Sequence, residues 1–369
     1  MEYKRAVSAD GHINEPPDMF VGLPQQLKDV TPYVIRQDSG DDAWIMYPGA
    51  PPRPISTSAQ AGRKYEDYLK EPTNFENMRP GSFDPKARID DMELDGIDAE
   101  VLYPGIVRGI GTVRPEVRKL CSQAYNDWLI QFCSYDPDRL VGLAVAALDD
   151  GADFVAQEMK RVRKLGLRSL NLYQSIDGMP VNDPGAEPVW AASVELDMPI
   201  NLHIGTSALV GAAPTARTRL PGTAEAGLCN FDHGVRMDVT AMVFAGVFDR
   251  HPNLKVVAAE GGIGFAPFLI DRMEDRYDRH RHRLNSPLKR RPREYMQKNV
   301  FYTFQEDHPG VTLRHDIGIN QIMWASDYPH TDTTWPRSQE VMEEHFGKIP
   351  ADERYKIVAG NAVALYGLA

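Results

Sequence analysis

Two apolar rhythms alternate along most of this 369-residue chain. Short continuous apolar runs, too brief for helices, fall at residues 99–103, 140–145, 168–173, 200–203, 254–260, 300–304 and 321–327. Such runs, bounded by turn residues, predict buried β-strands. Between them lie longer segments with apolar residues three and four apart. In residues 115–134 these are Val117, Leu120, Ala124, Leu129 and Phe132, with Pro115 suited to a first helical turn. Similar spacing predicts helices at 85–94, 151–165, 185–196, 235–249, 264–280, 310–316, 335–346 and 351–366. A first strand is expected at 5–10, which makes eight strands, each followed by a helix. Regular β-α alternation implies a parallel sheet, and eight units predict an α/β chain closed into a (β/α)₈ TIM-like barrel. A doubly wound open sheet is the alternative, but neither G-x-G-x-x-G nor G-x-x-x-x-G-K-[ST] occurs to favour it.

Residues 16–84 break the rhythm. Prolines and turn residues dominate there, as in Pro48-Gly49-Ala50-Pro51-Pro52. A loop this long is usually functional or an inserted subdomain, and it is expected to form a lid after the first strand. A second long loop is expected at 205–233. The whole of 1–369 reads as one barrel domain, since α/β barrels reach this length as single units.

The barrel expectation turns strand ends into a search list, because such folds carry their active sites at the C-terminal ends of the strands. The first strand runs into Ser8-Ala9-Asp10-Gly11-His12, and period two brings Asp10 and His12 to one side. The fourth strand carries Asn171, the fifth His203, the sixth Glu260 and the eighth Asp327. Five of the eight strands thus offer an oxygen or imidazole donor to one mouth. That mixture suits a divalent transition metal, Zn²⁺, Mn²⁺ or Fe²⁺, rather than Mg²⁺. Asn171 is read either as a ligand or as a structural hydrogen-bonding amide. Glu15 either contacts the bound ion or substrate, or anchors the lid. His330, in Ser326-Asp327-Tyr328-Pro329-His330, is expected to touch substrate rather than bind metal. Arg108, in the loop after the second strand, is a candidate partner for a substrate carboxylate.

Composition narrows the partners. The chain is 42% hydrophobic and 25% charged, with a formal net charge of −11. An acidic balance argues against nucleic acid or an anionic membrane surface as partner. The basic stretch at 279–293 is expected to be a solvated or subunit-contact segment. Three cysteines at no metal-ligand spacing read as thiols of a cytoplasmic protein. A small-molecule substrate and a homodimer are the expected partners.

Taken together, these pieces resemble the amidohydrolase superfamily, in particular the amidohydrolase-related group that contains aminocarboxymuconate-semialdehyde decarboxylase. The resemblance rests on Ser8-Ala9-Asp10-Gly11-His12 running into Glu15-Pro16-Pro17-Asp18, and on Asn201-Leu202-His203. It rests also on Glu260-Gly261-Gly262-Ile263-Gly264, Ala325-Ser326-Asp327-Tyr328-Pro329-His330 and the closing Gly360-Asn361-Ala362. It implies a distorted barrel with one or two divalent metals at the strand mouth. Asp10 and His12 take the positions of the family's His-x-His motif. Asn171 stands nearest the place of the superfamily's carboxylated strand-four lysine, and Glu260 occupies that of the strand-six histidine.

The leading expectation is a metal-dependent hydrolase acting on an ester, thioester or amide, with metal-activated water as nucleophile and Asp327 taking the proton. His330 and the metal would stabilise the oxyanion. The alternative is a metal-dependent, non-oxidative decarboxylase of an aromatic or unsaturated acid, with Asp327 protonating carbon. A non-catalytic binding protein is the remote third reading.

Overall fold

The computed structural model describes residues 5–68, 70–105, 113–174, 178–205, 207–209 and 221–368. Eight strands form one sheet in the order β1 (Val7–Ile13), β5 (Ala99–Pro104), β6 (Leu140–Ala147), β7 (Ser169–Tyr173), β8 (Ile200–His203), β9 (Val256–Ala259), β10 (Val300–Phe304) and β11 (Ile322–Trp324). All seven ladders between these neighbours are parallel. The seam between β11 and β1 closes just past the end of β11, where the Asp327 N–H donates to the Asp10 carbonyl at 2.9 Å. There the His12 N–H also donates to the Tyr328 carbonyl at 2.5 Å, and the Ser326 N–H to the Ser8 hydroxyl at 2.9 Å. The result is the expected (β/α)₈ barrel.

Apolar runs form these strands because both faces are covered. Every residue of β6, Leu-Val-Gly-Leu-Ala-Val-Ala-Ala, is buried, as a parallel sheet wrapped in helices requires. Helix Pro115–Cys133 turns Val117, Cys121, Tyr125 and Leu129 onto the barrel. Helix Pro85–Asp95 begins on the Asp84 carboxylate, which accepts the Ala87 N–H, and stops at Gly96 in the left-handed region.

Helix Thr223–Cys229 lies within the loop expected at 205–233, and the helix expected at 235–249 divides into His233–Phe244 and Val247–Arg250; three further differences change the barrel more. β1 begins and ends later than 5–10, and its register with β5 slips between Ser8 and Gly11, where three steps on β1 span two on β5. This bulge aims Asp10 and His12 into the mouth. Gly11 is required there, since a Cβ would sit 2.1 Å from Glu100 Oε1. Helix Pro292–Asn299 was not anticipated; its sequence is mostly polar, and only Pro292, Tyr295, Met296 and Asn299 are buried. The third difference lies in 16–84, which contains a three-stranded antiparallel sheet of β2 (Tyr33–Arg36), β3 (Asp42–Ile45) and β4 (Arg53–Pro54).

This inserted segment is strapped across the barrel mouth. The Asn14 amide donates to the Ser58 carbonyl and accepts from the Ser58 hydroxyl. The Gln60 and Ala61 N–H groups both donate to the Pro329 carbonyl, and the Thr331 N–H donates to the Thr57 carbonyl. Acids of helix Phe265–His280 pair with three of the seven Lys and Arg residues of the basic stretch, through Arg279–Asp275, Arg291–Glu274, Arg291–Asp278 and Arg293–Asp271. No helix among the described residues is long and apolar enough to cross a membrane.

One buried carboxyl outside the mouth makes a stability prediction. Asp95 accepts the Ser338 N–H at 2.9 Å and the Ser338 hydroxyl at 2.5 Å. Burial nonetheless raises it to about 7, with those hydrogen bonds opposing the rise. An unfolded aspartate titrates near 3.9, so across roughly pH 4 to 7 the native state holds a proton that the unfolded state has released. This group's contribution is therefore complete below about pH 4 and is lost as pH rises through about 7, by up to about 1.4 kcal/mol per pH unit. Asp95→Asn is expected to flatten that part of the profile in urea midpoints taken from pH 4 to 8. An unchanged slope would contradict it.

Candidate active site

The ends of β1, β8 and β9 and the loops after β9 and β11 bring their polar side chains into one compact cluster. His12 Nε2 lies 3.3 Å from Asp10 Oδ1, 3.4 Å from Asp327 Oδ1 and 3.9 Å from Glu260 Oε2. His203 Nε2 lies 2.8 Å from Glu260 Oε2 and 3.9 Å from Asp10 Oδ1. The rings of His12 and His203 meet edge to face with centroids 5.1 Å apart. Two overlapping donor sets could hold an ion, Asp10–His12–His203 and His12–Glu260–Asp327–His330, each with its donor atoms within 4.8 Å of one another.

Backbone geometry turns two of the carboxylates inward. Glu260 follows β9 directly and Asp327 lies three residues past the end of β11, and they adopt left-handed φ values of 60° and 54°. Non-glycine residues rarely sit there, and each such conformation costs on the order of 1–3 kcal/mol. Surrounding bonds hold them in place. The Glu260 N–H donates to the Thr303 hydroxyl at 2.7 Å, and the Asp327 N–H is tied to Asp10 across the seam. Beyond Glu260, the Asp307 carboxylate accepts N–H groups from Ile263 (2.7 Å) and Gly264 (2.5 Å), and from Gly310. A Cβ at position 264 would press within 2.8 Å of that carboxylate, so glycine is needed there.

The electrostatics are those of a largely buried anionic cluster. Asp10 is fully buried. Burial pushes its carboxyl well above the usual range; His203 opposes this, and Glu260 and Asp327 add to it. Asp10 Oδ1 receives no hydrogen bond from the described residues. A buried carboxylate oxygen with that environment is stabilised by a cation, and the carboxylate-imidazole donor set fits a divalent transition metal.

Other sequence candidates take distinct places. His330 Nδ1 lies 2.9 Å from Asp327 Oδ1, and its ring stacks on His12 with centroids 3.8 Å apart. Glu15 is buried just past β1, where its carboxylate accepts the Gly105 N–H at 3.0 Å and borders the cavity. Asn171 sits deeper, two residues before the end of β7, and its amide oxygen has no donor among the described residues. Arg108 lies outside the described residues.

Above the cluster opens a cavity of about 360 Å³ whose walls include Glu260, Asp327 and His330. The inserted segment supplies Trp44, Arg53, Pro54 and Ile55, while Leu228 and Phe231 face them from the 205–233 segment. Residues the sequence did not single out are therefore prominent here. Arg53 is an exposed cation at the cavity wall, with no carboxylate partner among the described residues. Thr303 braces Asp10 and Glu260 from behind, and Asp307 ties down the loop that follows Glu260. Nothing in local pattern marks them: Thr303 is an ordinary β-former inside Val-Phe-Tyr-Thr-Phe.

A family model described as Amidohydrolase matches residues 9–368, and the chain belongs to that family. Among curated relatives, 2-amino-3-carboxymuconate-6-semialdehyde decarboxylase of Dictyostelium discoideum is 24% identical over 298 residues, covering 80% of this chain and 79% of that one. An amidohydrolase from Mycobacterium avium subsp. paratuberculosis superposes over the full length of both chains, with a TM-score of 0.78 and 21% identity. A 5-carboxyvanillate decarboxylase from Novosphingobium aromaticivorans, complexed with manganese and 4-hydroxy-3-methoxy-5-nitrobenzoic acid, gives a TM-score of 0.71 and 21% identity. That match covers 99% of this chain and 96% of the other.

Proposed function

We propose that this chain is a metal-dependent, non-oxidative decarboxylase of an aromatic or unsaturated carboxylic acid. The observation that carries the reading is the convergence of Asp10, His12, His203, Glu260 and Asp327 beneath a cavity walled in part by Trp44, Ile55 and Phe231, with Arg53, which has no carboxylate partner among the described residues, at its edge. The relatives support this second of the two activities expected from sequence over ester or amide hydrolysis, since decarboxylases stand among both the curated relatives and the structural neighbours.

Asp10, His12, His203 and Asp327 would hold the ion, with Glu260 beside it. Both donor sets draw on His12, which favours one ion over two. A bound divalent ion supplies a Lewis-acid centre for anionic substrate oxygens. The chain's residues do the rest. Arg53 pairs with a carboxylate of the substrate at the cavity wall. Trp44 and Phe231 flank the flat apolar body of the acid. Asp327 delivers a proton to the carbon that bears the departing carboxylate. The carbon–carbon bond then breaks, its electron pair returns to the substrate's π-system, and CO₂ leaves. Solvent returns the proton to Asp327, so the net reaction is one substrate carboxylate plus one proton giving CO₂ and a product with hydrogen in the carboxylate's place. His330 steadies Asp327 through its Nδ1 contact and keeps its orientation between turnovers.

The reading is tested by CO₂ release from ortho-hydroxylated aromatic acids such as 5-carboxyvanillate, before and after chelation and on reloading with Mn²⁺. Activity lost with the chelator and regained with the ion is expected; activity indifferent to both would contradict it. Arg53→Met should raise KM for the acid about tenfold with kcat changed less, as loss of an exposed charge-assisted hydrogen bond implies. An unchanged KM would remove Arg53 from substrate recognition.

A further inference from the structure

We infer that Thr303 is a positioning residue for the ion site, whose single hydroxyl sets both Asp10 and Glu260. The inference rests on the metal-dependent reading above. Thr303 is fully buried near the end of β10. Its hydroxyl donates to Asp10 Oδ2 at 3.0 Å and accepts the Glu260 N–H at 2.7 Å. A hydroxyl has one proton and two lone pairs, so accepting from the amide leaves its only proton for Asp10.

Two consequences follow from that arrangement. Because Oδ2 is engaged, Asp10 has Oδ1 left to face His12 and His203, at 3.3 and 3.9 Å. Turning the carboxylate part-way about its Cβ–Cγ bond would break that hydrogen bond, so the Thr303 hydroxyl fixes the plane in which Asp10 presents its other oxygen. On the other side, the β9–β10 ladder ends at Ala258 and Tyr302. The Thr303 side chain supplies the bond that the ladder no longer makes, and it does so to the amide of a residue with φ of 60°. Glu260 thus begins its left-handed turn from a fixed point, and its Oε2 reaches His203 at 2.8 Å. One side chain from β10 therefore couples donors on β1 and at the end of β9.

Valine keeps the shape of threonine and removes the hydroxyl. Thr303→Val should weaken Mn²⁺ binding to the metal-stripped protein by about 10–100-fold, the usual effect of removing a partner that orients a ligand. Thr303→Ser, which keeps the hydroxyl, should stay within about threefold of wild type by the same measure. Titration of Mn²⁺ by electron paramagnetic resonance reads this without turnover. If the valine variant fails to fold, Thr303→Ala gives the same comparison against serine. Wild-type affinity in the valine or alanine variant overturns the inference while leaving the metal-dependent reading intact. A serine variant as weak as valine also overturns it, since a role in packing rather than hydrogen bonding would then be indicated. A wild-type chain that takes up no ion overturns the reading beneath it, and this inference with it.

Discussion

Replacing Asp327 with asparagine is expected to lower decarboxylation by about a thousandfold, within the range general acid–base residues contribute, while leaving the fold as stable as wild type or more so. The carboxylate is fully buried beside Asp10, Glu260, His12 and His330, where mutual repulsion between acids raises the cost of keeping each one charged. Asparagine has the same size, tolerates the left-handed φ of 54°, and removes one of the charges. It cannot deliver a proton to carbon, and as a neutral amide it is a poorer ligand. Turnover and the urea midpoint, measured on the same preparation, should therefore move apart. A variant that keeps wild-type kcat would remove Asp327 from proton delivery. One that loses activity only in proportion to lost stability would assign it a structural role.

Arg88→Met should cost about 3–5 kcal/mol of stability, the usual penalty for stranding one partner of a buried ion pair. Arg88 lies on the helix Pro85–Asp95 and is fully buried. Its Nη1 stands 3.4 Å from Glu100 Oε2, its Nη2 donates to the His12 carbonyl, and its guanidinium covers the Tyr328 ring at 4.4 Å. Glu100 on β5 is equally buried; burial pushes its carboxyl upward and Arg88 pulls it back. Glu100 also accepts the Ser326 hydroxyl and underlies Gly11. Removing the arginine leaves a buried carboxylate without its counter-ion, directly beneath the bulge that aims Asp10 and His12. Arg88→Met combined with Glu100→Gln should recover part of the loss in denaturant midpoints. A single variant as stable as wild type would show that the pair adds nothing to the floor of the site.

The barrel was legible because a parallel sheet buried on both faces writes its strands as continuous apolar runs, and Leu140–Ala147 and Val256–Ala259 are such runs. The mouth was legible for a related reason. Asp10, His203, Glu260 and Asp327 are polar residues in or immediately after those runs, where a core position would be apolar. The structure brings them together with His12 and His330. What local pattern does not carry is long-range pairing. The bulge between Ser8 and Gly11 depends on Glu100, which is far away in sequence. Thr303 acquires its place from Asp10 and Glu260, on two other strand ends. The sheet of β2, β3 and β4 went unread because β2 is only partly covered and β4 is Arg-Pro, so neither shows an apolar run. Arg53 likewise looks like any surface arginine until the insertion folds over the cavity.

The most direct test of the central claim is mass spectrometry of products from a mixed panel of carboxylated phenols, esters and amides, incubated with Mn²⁺-loaded protein in D₂O. The expected result is CO₂ from a carboxylated phenol, with one deuteron on the carbon that lost the carboxylate. Turnover confined to esters or amides, with the acids untouched, would contradict it and return the chain to metal-dependent hydrolysis.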